Sequence, residues 1–531
     1  MKRLLSFLLC FGILIFWSSC RNDFEFSPNT GNLEFAKDTI YLDTVFSTIG
    51  SSTYNLKVYN RSDEDIVIPT IQLENGENSL YRMNVDGSTG IQNDNQIGKF
   101  FENVELLAND SLYIFIETTI DINSPELGVL ENQFLYTDKI LFDSGSIQQD
   151  VDVVTLVKDA VFIYPNRELN EEDNSYIVET LTFDVDGDGT PDETNLQGRF
   201  LQDSELTFTN EKPYVIYGYA GVGEGKTLTM EAGTRVHFHA DSGIIVTDGA
   251  SLNINGDLST DQETLENEVI LEGDRLEPLY SDIPGQWGTI WLYNGSINNT
   301  ITYATIKNAT IGLLAEGNQT AENDKLTISN SKIFNISSFG VLGRATSIKA
   351  ENLVINNCGQ SSFAGTFGGK YNLTHCTIAN YWNSSFRQYP SLLINDYILE
   401  ENGLPIINNA TEANFINCII YGNNDPEFSI ENEGPTFNFK FTNCLLKFND
   451  TNLEDSGNYE FNNTEHYVQN VFNLDPKFKN SLENELQIGT SSGANGKALQ
   501  LTPHAGYDIL HKPRNSTAPD CGAYESIVFE D

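Results

Sequence analysis

The sequence predicts an all-β chain, a parallel β-helix or solenoid preceded by a β-sandwich, and three observations carry that reading. The first is a recurring phrase: a small or aliphatic residue, Ile two places on, Asn four places on. It occurs as Ala304-Ile306-Asn308, Ser331-Ile333-Asn335, Leu353-Ile355-Asn357 and Cys376-Ile378-Asn380. Cys418 with Ile420 and Cys444 with Leu446 continue it, the asparagine falling one place later at Asn423 and Asn449. The second is spacing: successive starts lie 27, 22, 23, 42 and 26 residues apart, and 42 is twice 21. A period of this length, made of short apolar alternations and polar turns, is one turn of a parallel β-helix, which buries little alone and needs neighbours. Turns stacked about 4.8 Å apart set like above like. Ala304, Ser331, Cys376, Cys418 and Cys444 then form an inward ladder, and the asparagines support bends. A leucine-rich horseshoe is excluded by the missing leucine phrase. The third observation is a series of short strands at sandwich-like spacing before the repeats.

At the N-terminus, Lys2 and Arg3 precede an apolar stretch from Leu4 to Trp17, the layout of a signal peptide over residues 1–19 and short for a bilayer span. Trp17-Ser18-Ser19-Cys20 resembles a bacterial lipobox, with Trp17 where leucine is usual. The resemblance implies acylation of Cys20, a linker over 20–32 and a membrane partner reached through the lipid. Asp23 and Glu25 favour passage to the outer surface.

Residues 33–158 read as the β-sandwich. Strand-like stretches at 39–42, 54–59, 66–71, 111–119, 133–136 and 151–157 alternate with Gly, Asn, Asp and Ser turns. Tyr54 to Ser62 and Leu107 to Leu112 resemble the immunoglobulin-like modules of exported proteins, which implies a stalk or spacer.

Residues 159–212 read as a connecting segment that holds the sharpest chemical motif, Asp184-Val185-Asp186-Gly187-Asp188-Gly189-Thr190-Pro191-Asp192. Carboxylates at alternate positions, with glycines that let the chain curl, supply the hard oxygen ligands calcium prefers. Asp184, Asp186, Asp188 and Asp192, with the carbonyl of Thr190, are candidate ligands of a structural calcium. The motif resembles EF-hand, dockerin and thrombospondin-type calcium loops and departs from the first at Asn195, where a bidentate glutamate is expected.

Residues 213–526 read as the solenoid and 527–531 as a tail. Thr227 to Phe238, Gly243 to Val246 and Ala250 to Gly256 resemble the opening turns of right-handed parallel β-helix proteins of bacterial cell surfaces, the pectin-lyase-like class. Gly285 to Leu292, Cys418 to Gly422, Asp475 to Phe478 and Asp520 to Glu525 extend the resemblance to the closing turn. It implies the fold rather than an activity, because such proteins include adhesins, glycan binders and polysaccharide lyases.

Composition narrows the functions. Lys+Arg of 30 against Asp+Glu of 75 gives a net charge of −45, which excludes nucleic acid and makes anionic lipid headgroups poor partners. Cys358, Cys376, Cys418, Cys444 and Cys521 remain beyond Cys10 and Cys20, and their ladder positions predict free core thiols rather than disulfides. No polygalacturonase-like or pectate-lyase-like catalytic phrase is present, so no catalytic residue is nominated. His375 reads as an outward surface residue. His237 and His239 share a strand face with Asp241, a geometry suited to a metal ion. Trp382, Tyr389 and Trp291 are glycan-stacking candidates, Trp382 and Tyr389 lying in an irregular insertion expected to be exposed. Trp287, between glycines, reads as a packed bend.

The expected function is therefore a lipid-anchored outer-membrane protein whose β-helix is a non-catalytic adhesion or glycan- and matrix-binding module, its ligand a polysaccharide or surface protein. The alternatives are a polysaccharide lyase or glycoside hydrolase acting along the solenoid groove, and a purely structural envelope component.

Overall fold

The structure, a computed structural model, describes residues 26–90, 97–123, 133–171, 173–185, 187–319, 322–400, 402–408, 411–501 and 505–529. Cys20 and Asp186 lie outside the described residues. The chain divides into two compact units, residues 1–159 and 160–531.

In the first unit the described residues form a six-stranded and a four-stranded sheet. Alternation of buried and outward side chains, as in Ser111–Thr118, where Leu112, Ile114 and Ile116 point inward, gives the strand one buried face. Ile40, Ile68, Ile140 and Val153 from the larger sheet meet Leu56, Val58, Ile114 and Ile116 from the smaller in one core.

The second unit is built on long parallel sheets, of 11 and 18 strands among the described residues, an arrangement consistent with a parallel β-helix. In the 11-stranded sheet one buried file runs through consecutive pairings: Val236, Leu271, Ile306, Ile333, Ile355, Ile378, Ile420 and Leu446. This is the aliphatic of the sequence phrase. In the 18-stranded sheet the matching file is Ile244, Ile290, Leu313, Val341, Phe363, Leu392 and Phe428. Each such side chain contributes about 1.5–3 kcal/mol when buried, so a coil of many rungs is held by a thin core.

The small residues behave as read: Ala304, Ser331, Cys376, Cys418 and Cys444 are buried, and Leu353 at the equivalent position is buried too. All five cysteines of the described chain are free and buried. Burial pushes the Cys358 thiol up to about 12, which leaves it protonated and inert.

The residue before each small one turns the corner in the left-handed region: Tyr303, Asn330, Asn352, His375, Asn417 and Asn443 have φ of 47°, 48°, 53°, 50°, 58° and 50°. Asparagine tolerates this conformation best among non-glycine residues. Neighbouring corners bond through side chains, Asn352 Nδ2 donating to Asn330 Oδ1 at 2.8 Å. His375 belongs to this column and is buried, which corrects its reading as a surface residue. Its Nε2 lies 2.9 Å from Asn417 Nδ2. The asparagines of the phrase form a second column, in which Asn357 Nδ2 donates to Asn335 Oδ1 at 2.7 Å.

Two further segments complete the unit. Parallel pairing begins at Val161–Ile163, which joins Tyr214–Ile216, so the segment read as a connector already contributes strands. At the other end, residues 478–501 and 505–525 fold back over the outer face of the 11-stranded sheet. Leu486, Ile509 and Tyr524 cover Val354 and Ala379, and Ile488, Ala494 and Cys521 cover Ile419 and Leu445. The corner column holds this cover: Asn352 Nδ2 donates to Tyr507 O at 3.1 Å, Asn417 Nδ2 to Leu499 O at 2.8 Å and Asn443 Nδ2 to Lys497 O at 2.8 Å.

Candidate functional site

Outward-facing residues of the 18-stranded sheet form a second register file, and it is apolar: Ile245, Trp291, Leu314, Leu342, Ala364 and Leu393. Every member except Trp291 is buried, so the file is covered rather than open to water. Leu314, Leu342, Ala364 and Leu393 pack together with Trp291, Ile311 and Phe339 against them. Beside Trp291, the indole Nε1 donates to Glu316 Oε2 at 2.7 Å, and Arg344 pairs with the same carboxylate at 3.2 Å. Lys325 lies buried beneath, its Nζ donating to the carbonyls of Tyr293, at 2.5 Å, and Glu316. Burial pulls its ammonium down to about 7.

The far end of the file meets residues 382–391, a loop fixed by a buried ion pair. Arg387 Nη2 lies 2.6 Å from Glu427 Oε1, and both side chains are almost fully buried. Further bonds hold the pair: Ser391 Oγ donates to Glu427 Oε2 at 2.7 Å, and the two terminal nitrogens of Arg387 donate to the carbonyls of Tyr389 and Asn380 at 2.6 and 3.2 Å, while its Nε is buried without a partner among the described residues. Removing one partner of such a pair costs about 3–5 kcal/mol, so the loop is held in one shape. On it Phe386 is 90% exposed and Tyr389 40% exposed. Tyr389 approaches Phe339 with ring centroids 6.5 Å apart.

Trp291 and Tyr389, both nominated from the sequence, therefore lie along one face, with Trp291 and Leu393 four rungs, about 19 Å, apart. Trp382 does not join them as a platform. It is 6% exposed because the loop folds it inward, where its Nε1 donates to Ser385 Oγ at 3.0 Å. Phe386 was missed; its signal is a lone aromatic in the polar stretch Asn383-Ser384-Ser385-Phe386-Arg387-Gln388. Trp287 is packed as expected, stacked on Phe238 at 4.2 Å.

A second cluster occupies the outer face of the first rungs of the 11-stranded sheet. His237 lies buried 3.7 Å from Glu272, whose other oxygen meets Lys307 Nζ at 2.7 Å. Burial works to raise Glu272, but the charges of His237 and Lys307 prevail and hold its carboxyl below the ordinary range. His239 follows the same strand, stacks on Tyr217 at 4.3 Å, and sets Nδ1 2.8 Å from Asp274 Oδ2. Burial, then the charge of Asp274, pushes the Tyr217 phenol up to about 12. Asp241 does not join the histidines; it turns a corner at φ 58° and its charge acts on Tyr219. No group of three or more metal-ligating side chains converges among the described residues.

The acidic loop sits on a hairpin of Thr180–Phe183 and Asp192–Phe200, with Leu181 and Phe183 packed on Ile245. Asp184 accepts from the amides of Gly187 and Gly189 at 2.7 and 2.8 Å, Asp192 from Val185 at 2.9 Å, and Asp188 from Thr190 at 2.8 Å. Tyr293 donates to Val185 O at 2.9 Å, which ties the loop beside Trp291.

No family model and no curated protein matches the sequence. Three solved structures align weakly. A family 123 glycoside hydrolase from Clostridium perfringens is 11% identical over 24% of this chain and 26% of that chain, with a TM-score of 0.16. The E. coli chaperone DraB is 11% identical over 29% and 83%, with a TM-score of 0.16. The catalytic unit of a family 87 α-1,3-glucanase from Streptomyces thermodiastaticus strain HF3-3 is 9% identical over 79% and 66%, with a TM-score of 0.21. This chain thus spans about a quarter of the length of the first. At these TM-scores the alignments decide neither fold nor activity.

Proposed function

We propose that this protein is an exported lipoprotein, acylated at Cys20 and held to the outer membrane, whose right-handed parallel β-helix binds a neutral glycan without cleaving it. Residues 33–158 serve as a β-sandwich spacer, and Asp184, Asp186, Asp188, Thr190 and Asp192 hold a calcium ion that stiffens the loop beside Trp291. The observation that carries the reading is the exposed pair Phe386 and Tyr389 on a loop locked by Arg387 and Glu427. An exposed aromatic on a rigid support offers its face to a sugar ring at little entropic cost. The double substitution Phe386→Ala, Tyr389→Ala is expected to weaken binding to a responsive neutral polysaccharide by about tenfold or more, roughly 1.4 kcal/mol, with unchanged thermal unfolding. Binding equal to wild type across a polysaccharide panel sinks this reading.

The second reading, a glycan-cleaving enzyme, is favoured by the oriented His239–Asp274 pair beside Glu272 and Lys307. Release of reducing or unsaturated ends that His239→Ala abolishes would establish it in place of the first.

A further inference from the structure

The outer face of the four-stranded sheet in the first unit carries aromatic rings interleaved with cations. Lys57 sits opposite Tyr113 and Asn55 opposite Phe115 on the strands Tyr54–Tyr59 and Ser111–Thr118. Tyr113 and Phe115 are 42% and 40% exposed and lie with near-parallel rings, centroids 6.2 Å apart. Lys57 Nζ lies 5.2 Å from the Tyr59 ring centre and 5.3 Å from that of Tyr113, and the Arg61 guanidinium lies 4.2 Å from Tyr59.

The charges set this face apart. Arg61 pairs with Glu34 at 3.1 Å and Arg82 with Glu117 at 2.9 Å, whereas Lys57 forms no ion pair among the described residues. Of the three cations two are thus paired, which leaves Lys57 without a carboxylate partner among the described residues, on a chain whose net charge is −45. A lysine held between two tyrosine rings gains cation–π attraction and keeps its charge for an incoming anion. Two adjacent rings next to that charge match a sugar ring bearing an acidic substituent: the rings stack on its apolar face while the ammonium meets the anion. The chain's overall charge disfavours anionic partners elsewhere, so recognition of one needs a cation without an ion pair beside a stacking surface, as Lys57 is here.

We propose that this face binds an anionic saccharide, one carrying a carboxylate or sulfate ester, with Lys57 as the anion contact and Tyr113 and Phe115 as the stacking platform. The site is independent of the neutral-glycan face in the second unit.

The test uses the full-length protein with three polymers: polygalacturonate, dextran sulfate and unmodified dextran. Binding is expected to one or both anionic polymers, weakening as salt is raised. Carboxylate and sulfate are distinguished by which polymer responds. Lys57→Gln is expected to reduce that binding about tenfold while Lys57→Arg retains most of it, the pattern expected of a charge contact. The double variant Tyr113→Ala, Phe115→Ala lowers it similarly, all with unchanged thermal unfolding. Phe386→Ala, Tyr389→Ala is expected to leave it intact, which separates failure of this site from failure of the neutral-glycan reading. Absence of binding to either anionic polymer, or Lys57→Gln binding as wild type, overturns the proposal.

Discussion

The outer face of the 11-stranded sheet has two halves that differ although the coil beneath them is the same. In the first half one outward file reads Arg235, Ile270, Thr305 and Lys332; in the second it continues as Val354, Thr377, Ile419 and Leu445. The first half is laced with charge pairs, Lys332 to Glu268 at 3.0 Å and Lys307 to Glu272 at 2.7 Å. The second half is dressed by residues 478–501 and 505–525. The chemistry of an outward position is thus dictated by what lies over it, not by its place in the repeat.

Three changes break or sharpen this contrast. The largest effect is expected from Ile419→Asp, which puts a carboxylate among Ile488, Ala494 and Cys521. Burial of an unpaired charge should cost roughly 4 kcal/mol or more, read as a fall in the denaturant midpoint.

The second change is read through pH. Burial, then the charge of Arg514, holds the His375 imidazole well below its ordinary range. Below about pH 6.5 the unfolded chain therefore binds a proton that the folded chain refuses, and stability falls as pH falls through that window. His375→Asn keeps the corner geometry and should remove this acid sensitivity, as a flatter stability–pH curve. Glu525 acts in the opposite sense: burial raises its carboxyl, so its contribution to stability grows as pH falls. The variant therefore isolates the histidine.

The smallest effect is expected from Lys307→Ala in the charge-paired half. Glu272 keeps His237 and partial access to water, and the loss should be about 1 kcal/mol. An equally large loss there and at Ile419 would erase the distinction between the halves.

What the sequence made legible follows from range. The inward files were readable because a stacked coil repeats the same steric demand each rung, so Ile306, Ile333, Ile355 and Ile378 recur by necessity. The corner column was not read: the phrase singled out Asn308, Asn335, Asn357 and Asn380, whereas the corners stand one place before each phrase, as at Asn330 and Asn352. A left-handed φ tolerates several residues, and His375 in place of asparagine hid the register. The cover was not legible, because Val354 and Tyr524 meet across a sequence separation of 170 with no local pattern to announce it. At the candidate site, Trp291 and Tyr389 could be named as aromatics. Their alignment depends on pairings across four rungs, and the inward turn of Trp382 depends on hydrogen bonds within its loop. His239 was visible and its partner Asp274 was not, because the register that joins their strands skips a long insertion between them.

The corner column also has a consequence for the order of assembly. Asn352, His375, Asn417 and Asn443 spend side-chain hydrogen bonds on residues 497–522, so the middle rungs keep unmet polar groups and bare Val354, Ile419 and Leu445 until the final stretch of chain arrives. These are contacts of high sequence separation, which close late. A chain still emerging from synthesis would carry a wound but sticky coil, whose bare face is sealed only when Leu486, Ile488, Ala494, Ile509, Cys521 and Tyr524 arrive.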